Sequence, residues 1–145
     1  MEANSLQHHT ILWADDDVDD LLLIREVITA VNETHQLLEA YNGRQVIDYL
    51  NAVEPSKLPC LVVLDINMPL LNGKETLAII KSEERYSDMT IAVFTTSFNE
   101  TDKRFCEGYG VRMFIKPRTF GELYKTINEI IGLCKTSDRR KLRLN

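Results

Sequence analysis

Residues 14–20 read ADDDVDD, five aspartates in seven positions directly after the apolar run Ile11-Leu12-Trp13. At an effective dielectric near 20, like charges repel by roughly 4 kcal/mol per pair at about 4 Å. Such a stretch calls for solvent or for a cation. Three more polar residues end apolar runs: Asp65 in LVVLDINMP, Thr95 in IAVFTTS and Lys116 in MFIKP. Carboxylates grouped without histidine or cysteine suit a hard cation such as Mg2+, which prefers oxygen ligands, keeps several waters and accepts phosphate oxygens. Asp15 and Asp16 are the candidate carboxylate ligands. Asp65 is a candidate ligand and nucleophile, because carboxylates attack phosphorus to form aspartyl phosphates. Lys116 would pair with that carboxylate before transfer and with the phosphoryl group afterwards. Thr95, which follows the apolar run directly, is preferred to Thr96 as a hydroxyl donor to a phosphoryl oxygen.

These residues can meet only if the chain folds so that the ends of its apolar runs converge. The runs ILWA (11–14), LLEA (37–40), CLVVLD (60–65), IAVF (91–94) and MFI (113–115) alternate with helical patterns. Three of them are continuously apolar, as in parallel strands covered on both faces. Leu21, Ile24, Ile28 and Val31 form the stripe of a first helix; Val46, Leu50 and Val53 that of a second; Leu123, Ile127, Ile130 and Cys134 that of a last. Asn42-Gly43 separates the second strand from its helix, and Leu71-Asn72-Gly73 precedes a third helix over about 74–84. Ser97…Glu100 and Thr119…Glu122 have the spacing of capping boxes. The expected fold is α/β: strand and helix alternating five times in one domain, a parallel sheet with right-handed crossovers. In such a sheet all the carboxyl ends lie on one edge, where ligands bind. Residues 54–59 read as a turn-rich loop.

The chain has 145 residues, 44% apolar and 27% charged, enough for one domain with a real core. Its net charge of −5 argues against nucleic acid as the main partner, which would demand a basic surface. The apolar runs are too short to span a membrane, and the N-terminal residues lack the pattern of a signal peptide. Cys60, Cys106 and Cys134 are far apart and form no CxxC, so they read as reduced core or near-core thiols of a cytoplasmic protein. His8, His9 and His35 read as surface residues, and Trp13 as core. Asp19 and Asp20 read as acids of a first helical turn, favoured by the helix dipole; Asp17 is left open between that reading and a site role.

With these motifs in order, separated by 50, 30 and 21 residues from Asp15 through Asp65 and Thr95 to Lys116, the sequence resembles the receiver domains of two-component response regulators. The resemblance implies a five-stranded, (βα)5 flavodoxin-like fold with strand order 2-1-3-4-5. It implies an N-terminal extension over 1–8, a receiver domain over 9–134 and a solvated, frayed basic tail over 135–145. It implies phosphorylation of Asp65 by a histidine kinase or a histidine phosphotransfer protein, with Asp15, Asp16, Asp65 and the backbone carbonyl of Asn67 around Mg2+ and with Thr95 and Lys116 on the phosphoryl group. A cis bond at Lys116-Pro117 would aim the lysine, and Met68 and Pro69 would shape the loop beside Asp65. Output would come through protein–protein contact over about 98–134, the face of the fourth helix, fifth strand and fifth helix. That face could also form a homodimer; a DNA-binding domain and an ordinary enzymatic activity are not expected. One departure is Met113, where the family commonly has an aromatic residue that moves with the threonine; Phe114 beside it should point to the opposite strand face.

Two other readings compete. Aspartyl-nucleophile phosphohydrolases of the haloacid-dehalogenase type place a second aspartate where Asn67 stands and usually carry a cap domain. A pseudo-receiver would bind partners without phosphorylation. The sequence contains neither GxxxxGK[ST] nor GxGxxG, the phosphate-cradling loops of nucleotide-binding proteins.

Overall fold

The computed structural model describes residues 9–31, 35–96 and 99–144, with side chains described from Thr10 to Cys134. Five strands, β1 (His9–Ala14), β2 (His35–Ala40), β3 (Leu61–Leu64), β4 (Ile91–Thr95) and β5 (Arg112–Ile115), alternate with five helices. These are α1 (Val18–Val31), α2 (Gly43–Ala52), α3 (Gly73–Ser82), α4 (Glu100–Gly108) and α5 (Phe120–Leu144). All strand pairs are parallel and the order is β2-β1-β3-β4-β5, the flavodoxin-like arrangement expected. The turn-rich loop carries a single 3₁₀ turn, Pro55–Lys57.

Strand alternation divides the core into two layers. Leu12, Ala14, Val62, Leu64 and Val93 face α2, α3 and α4, meeting Val46, Leu50, Leu77, Ile80 and Cys106. Ile11, Trp13, Val63, Ala92, Phe94 and Phe114 face α1 and α5, meeting Leu21, Ile24, Ile127 and Ile130. Trp13 is fully buried and meets Phe94 edge to face at 5.8 Å between ring centroids, a favoured aromatic geometry. Met113 packs in the first layer and Phe114 in the second, as the two-residue period requires.

Several local expectations change. Cys60 and Cys134 are not free thiols but a disulfide, joining the entry of β3 to α5 with the Cα atoms 5.3 Å apart. Their separation of 74 residues hid a contact that only the packing of α5 against the sheet creates. Cys106 is free and buried. His35 is buried, because it opens β2 in register with His9 of β1; His8 lies outside the described residues, as does Ser97. The cap of α4 is Asn99, whose side chain accepts from the Asp102 amide at 2.7 Å. Thr119 caps α5, accepting from the Glu122 amide at 3.3 Å. A reciprocal capping box that the sequence reading missed, Asn72 with Glu75, starts α3. The backbone of the basic tail is helical to Leu144, as a continuation of α5.

Candidate functional site

The site lies at the carboxyl edge of the sheet. Register brings β1 and β3 together there: the Asp65 amide donates to the Ala14 carbonyl at 3.1 Å, which puts Asp65 beside Asp15. Asp15, held through its own amide to the Ala40 carbonyl at 3.0 Å, is buried. Lys116 enters from the end of β5, its amide bonded to the Thr95 carbonyl at 2.8 Å. The Lys116–Pro117 bond, expected to be cis, is trans: there is no cis peptide among the described residues. Trans is the ordinary isomer even before proline, by about 0.5–1 kcal/mol, and from it the lysine reaches the carboxylates.

Lys116 Nζ donates to Asp15 Oδ2 at 2.5 Å, to Asp20 Oδ2 at 2.8 Å and to Asp65 Oδ2 at 3.0 Å. An ammonium carries three N–H groups, and each meets one carboxylate. The Phe94 ring lies 5.9 Å from the same nitrogen. One oxygen of each of Asp15, Asp16 and Asp65 falls within 4.8 Å of the others, with Asp16 exposed and the other two buried. Asn67 is exposed in the loop two residues after Asp65. Asp65 Oδ1 and Thr95 Oγ1 are buried without a hydrogen-bond partner among the described residues, whereas Thr96 is exposed.

The electrostatics follow from burial. Desolvation pushes the Asp15 carboxyl up to about 6, against the opposing hydrogen bonds from Lys116 and the Asp17 amide. Burial alone would lower the Lys116 ammonium; the hydrogen bonds to Asp15 and Asp20, with the Asp65 charge, outweigh it and hold the lysine above its ordinary value.

The remaining acids of ADDDVDD divide. Asp17 caps α1, its Oδ1 accepting from the amides of Asp19 and Asp20 at 3.0 and 3.2 Å. Asp19 is an exposed acid of the first turn. Asp20 is, as expected, an acid of the same turn, and it is also the third carboxylate on Lys116. A first-turn acid has a sufficient local explanation, and no spacing signal linked it to a lysine 96 residues away.

The loop after Asp65 is held tightly. A Cβ on Gly73 would meet the Asp65 carbonyl oxygen and lie 2.8 Å from Ile66 Cα, so only glycine lets α3 begin this close to the site. Leu70 sits in the left-handed region at φ 68°, unusual for a residue with a side chain. Beyond the loop, Lys74 of α3 forms an ion pair at 2.6 Å with the buried Asp102 of α4 and lies 5.6 Å from the Phe105 ring centroid. This links the helices that follow Asp65 and Thr95.

An all-oxygen set with two buried carboxylates, one carrying an oxygen without a partner among the described residues, fits a hard divalent cation such as Mg2+ or Mn2+. Among the described residues, no helix is long and apolar enough to cross a membrane.

Known proteins resemble the chain in sequence and in fold. Residues 11–128 match the family model of the response regulator receiver domain. The chain is 31% identical to response regulator Rcp1 of Synechocystis over 90% of its own length and 91% of that protein's. It is 32% identical to the probable methanogenesis regulatory protein FilR2 of Methanothrix harundinacea, over 83% and 79% of the two chains. Among solved structures, the phosphorylated cyanobacterial phytochrome response regulator RcpA superposes with a TM-score of 0.76 at 28% identity, covering 85% of this chain and 91% of that one. The Mn2+-bound form of Rcp1 gives the same score and identity, over 84% and 91%. With fold, strand order and sequence in agreement, the chain belongs to the response regulator receiver domain family.

Proposed function

We propose that this receiver is a phosphorylation-dependent switch, in which Asp65 accepts a phosphoryl group from the phosphohistidine of a histidine kinase or phosphotransfer protein. The observation that carries the reading is that two buried oxygens at this edge, Asp65 Oδ1 and Thr95 Oγ1, have no hydrogen-bond partner among the described residues, with Lys116 fixed on the other Asp65 oxygen. Asp65 has one oxygen anchored and one free to attack phosphorus. As the new O–P bond forms, the bond to the donor nitrogen breaks and the nitrogen leaves with its electron pair. Lys116 then meets the phosphoryl oxygens, and the Thr95 hydroxyl turns to donate to one of them. Asp15, Asp16, Asp65 and the Asn67 carbonyl would hold Mg2+, which supplies charge neutralisation at the transferring phosphoryl group.

Output in this reading is contact with another protein, in the cytoplasm, by the domain over residues 9–134. The α4–β5–α5 face suits it: a groove of about 320 Å3 there is bordered by Lys103, Glu107, Met113 and Ile115. The same face is the proposed surface of a homodimer. Met113 takes the place of an aromatic partner for Thr95 and, being flexible, can repack as the hydroxyl moves.

Incubation with acetyl phosphate and Mg2+, followed by intact mass, tests the reading. One added phosphoryl group is expected in the wild type and none in Asp65→Asn. Absence of uptake in a wild type that binds Mg2+ would favour a pseudo-receiver. Steady turnover of unrelated phosphoesters would favour a hydrolase.

A further inference from the structure

We propose that Asp20 is a positioning residue that holds Lys116 back from the phosphoryl site and so sets how tightly Asp65 retains a phosphoryl-like group. This rests on the switch reading above and adds a residue to it. All three N–H groups of the Lys116 ammonium are committed, to Asp15, Asp20 and Asp65. To meet a group on Asp65, the ammonium must reorient within that set. Asp15 belongs to the acidic group beside Asp65, and Asp65 is the acceptor itself. Asp20 stands outside that group, on the α1 side, and competes for the lysine there.

The competitor is built into the fold. Asp20 lies in the first turn of α1, and its amide is fixed by the Asp17 cap at 3.2 Å. Its carboxylate is 32% exposed, against 8% for the lysine side chain, so the bond is part-screened and exchangeable rather than a permanent buried pair. Asp20 also adds a negative charge beside a place where an incoming anion must settle. Loss of the competing bond and loss of the charge act in the same direction: without Asp20 the anion binds more tightly.

The probe is beryllofluoride, a phosphoryl mimic, titrated with Mg2+ in excess and followed by the fluorescence of Trp13, the single tryptophan, two residues before Asp15. Asp20→Asn and Asp20→Ala are expected to tighten apparent affinity on the order of five- to tenfold, the scale of one partly screened charge-assisted bond. Asp20→Glu, which restores the carboxylate, should return affinity towards the wild-type value. Asp19→Asn removes an equal charge from the same turn without touching Lys116 and should shift affinity less than twofold. Unchanged or weaker affinity in both Asp20→Asn and Asp20→Ala overturns the inference. So does an equal gain in Asp19→Asn, which would reduce the effect to bulk charge. Wild-type protein that neither takes a phosphoryl group nor binds beryllofluoride refutes the switch reading and this inference with it. Normal phosphoryl uptake with Asp20-insensitive affinity refutes this inference alone.

Discussion

At the carboxyl edge of the sheet one ammonium is shared by three carboxylates, and two buried oxygens lack partners among the described residues. At the amino edge the chain enters β3 through Cys60, which is bonded to Cys134 of α5 among buried apolar side chains, with the Cys60 amide paired to the Thr10 carbonyl at 2.9 Å. One end of the same five strands concentrates charge. The other end is closed by packing and a covalent link. The contrast separates two ends of one sheet: a covalent link and apolar packing close the first, and charged side chains gather at the second.

The strongest way to break the contrast is to open the closed end. Cys60→Ser, measured by denaturant unfolding of oxidised protein, should cost about 4 kcal/mol, the chain-entropy value for a loop of this length, and reductant should lower the wild type to the same stability. Phosphoryl uptake at the far edge should persist in the variant wherever it remains folded. A smaller effect is expected at the charged end. Mg2+ at about a hundred times its Kd should stabilise the protein by roughly 2.7 kcal/mol, read as a rise in Tm.

That rise should depend on pH. The Asp15 carboxyl is raised from 3.8 to about 6, so the folded state favours its protonated form. Without cation, the Asp15 contribution therefore falls as pH increases from about 4 to 6. Mg2+ binding requires the ionised form, so the thermal gain should be full above about pH 7 and shrink as pH falls through 6. A gain independent of pH between about 5 and 8 would remove Asp15 from the metal site. The smallest effect belongs to the exposed pair Arg112–Glu129, whose side chains are 57% and 55% exposed. Arg112→Ala should change stability by less than about 1 kcal/mol, a solvent-screened reference for the buried lysine.

The readable features were those with a one-dimensional signature. The apolar runs within β1, β3 and β4 are continuous because both faces are covered, and each gives way abruptly to Asp15, Asp65 or Thr95. Parallel geometry then brings those ends together without further information. Features decided by the rotation of a helix against the sheet were not readable. Asp20 meets Lys116 only because α1 turns that face inward, and Cys134 meets Cys60 only because α5 crosses the entry of β3. Local competition hid others: Ser97…Glu100 has capping spacing, but Asn99 caps α4 instead, one residue before its first helical residue. The Lys116-Pro117 sequence permits either isomer and does not choose between them.

The Lys74–Asp102 pair has a consequence for hydrogen exchange. Asp102 is buried, so if the first turn of α4 lifts away while α3 stays in place, two opposite charges part and Lys74 loses its anchor over Phe105. Separating them is costly enough that the two helix starts should open as one unit. The amides at the starts of α3 and α4 should then exchange with a common opening free energy. Asp102→Asn should uncouple them, letting α4 exchange faster while α3 keeps its own protection.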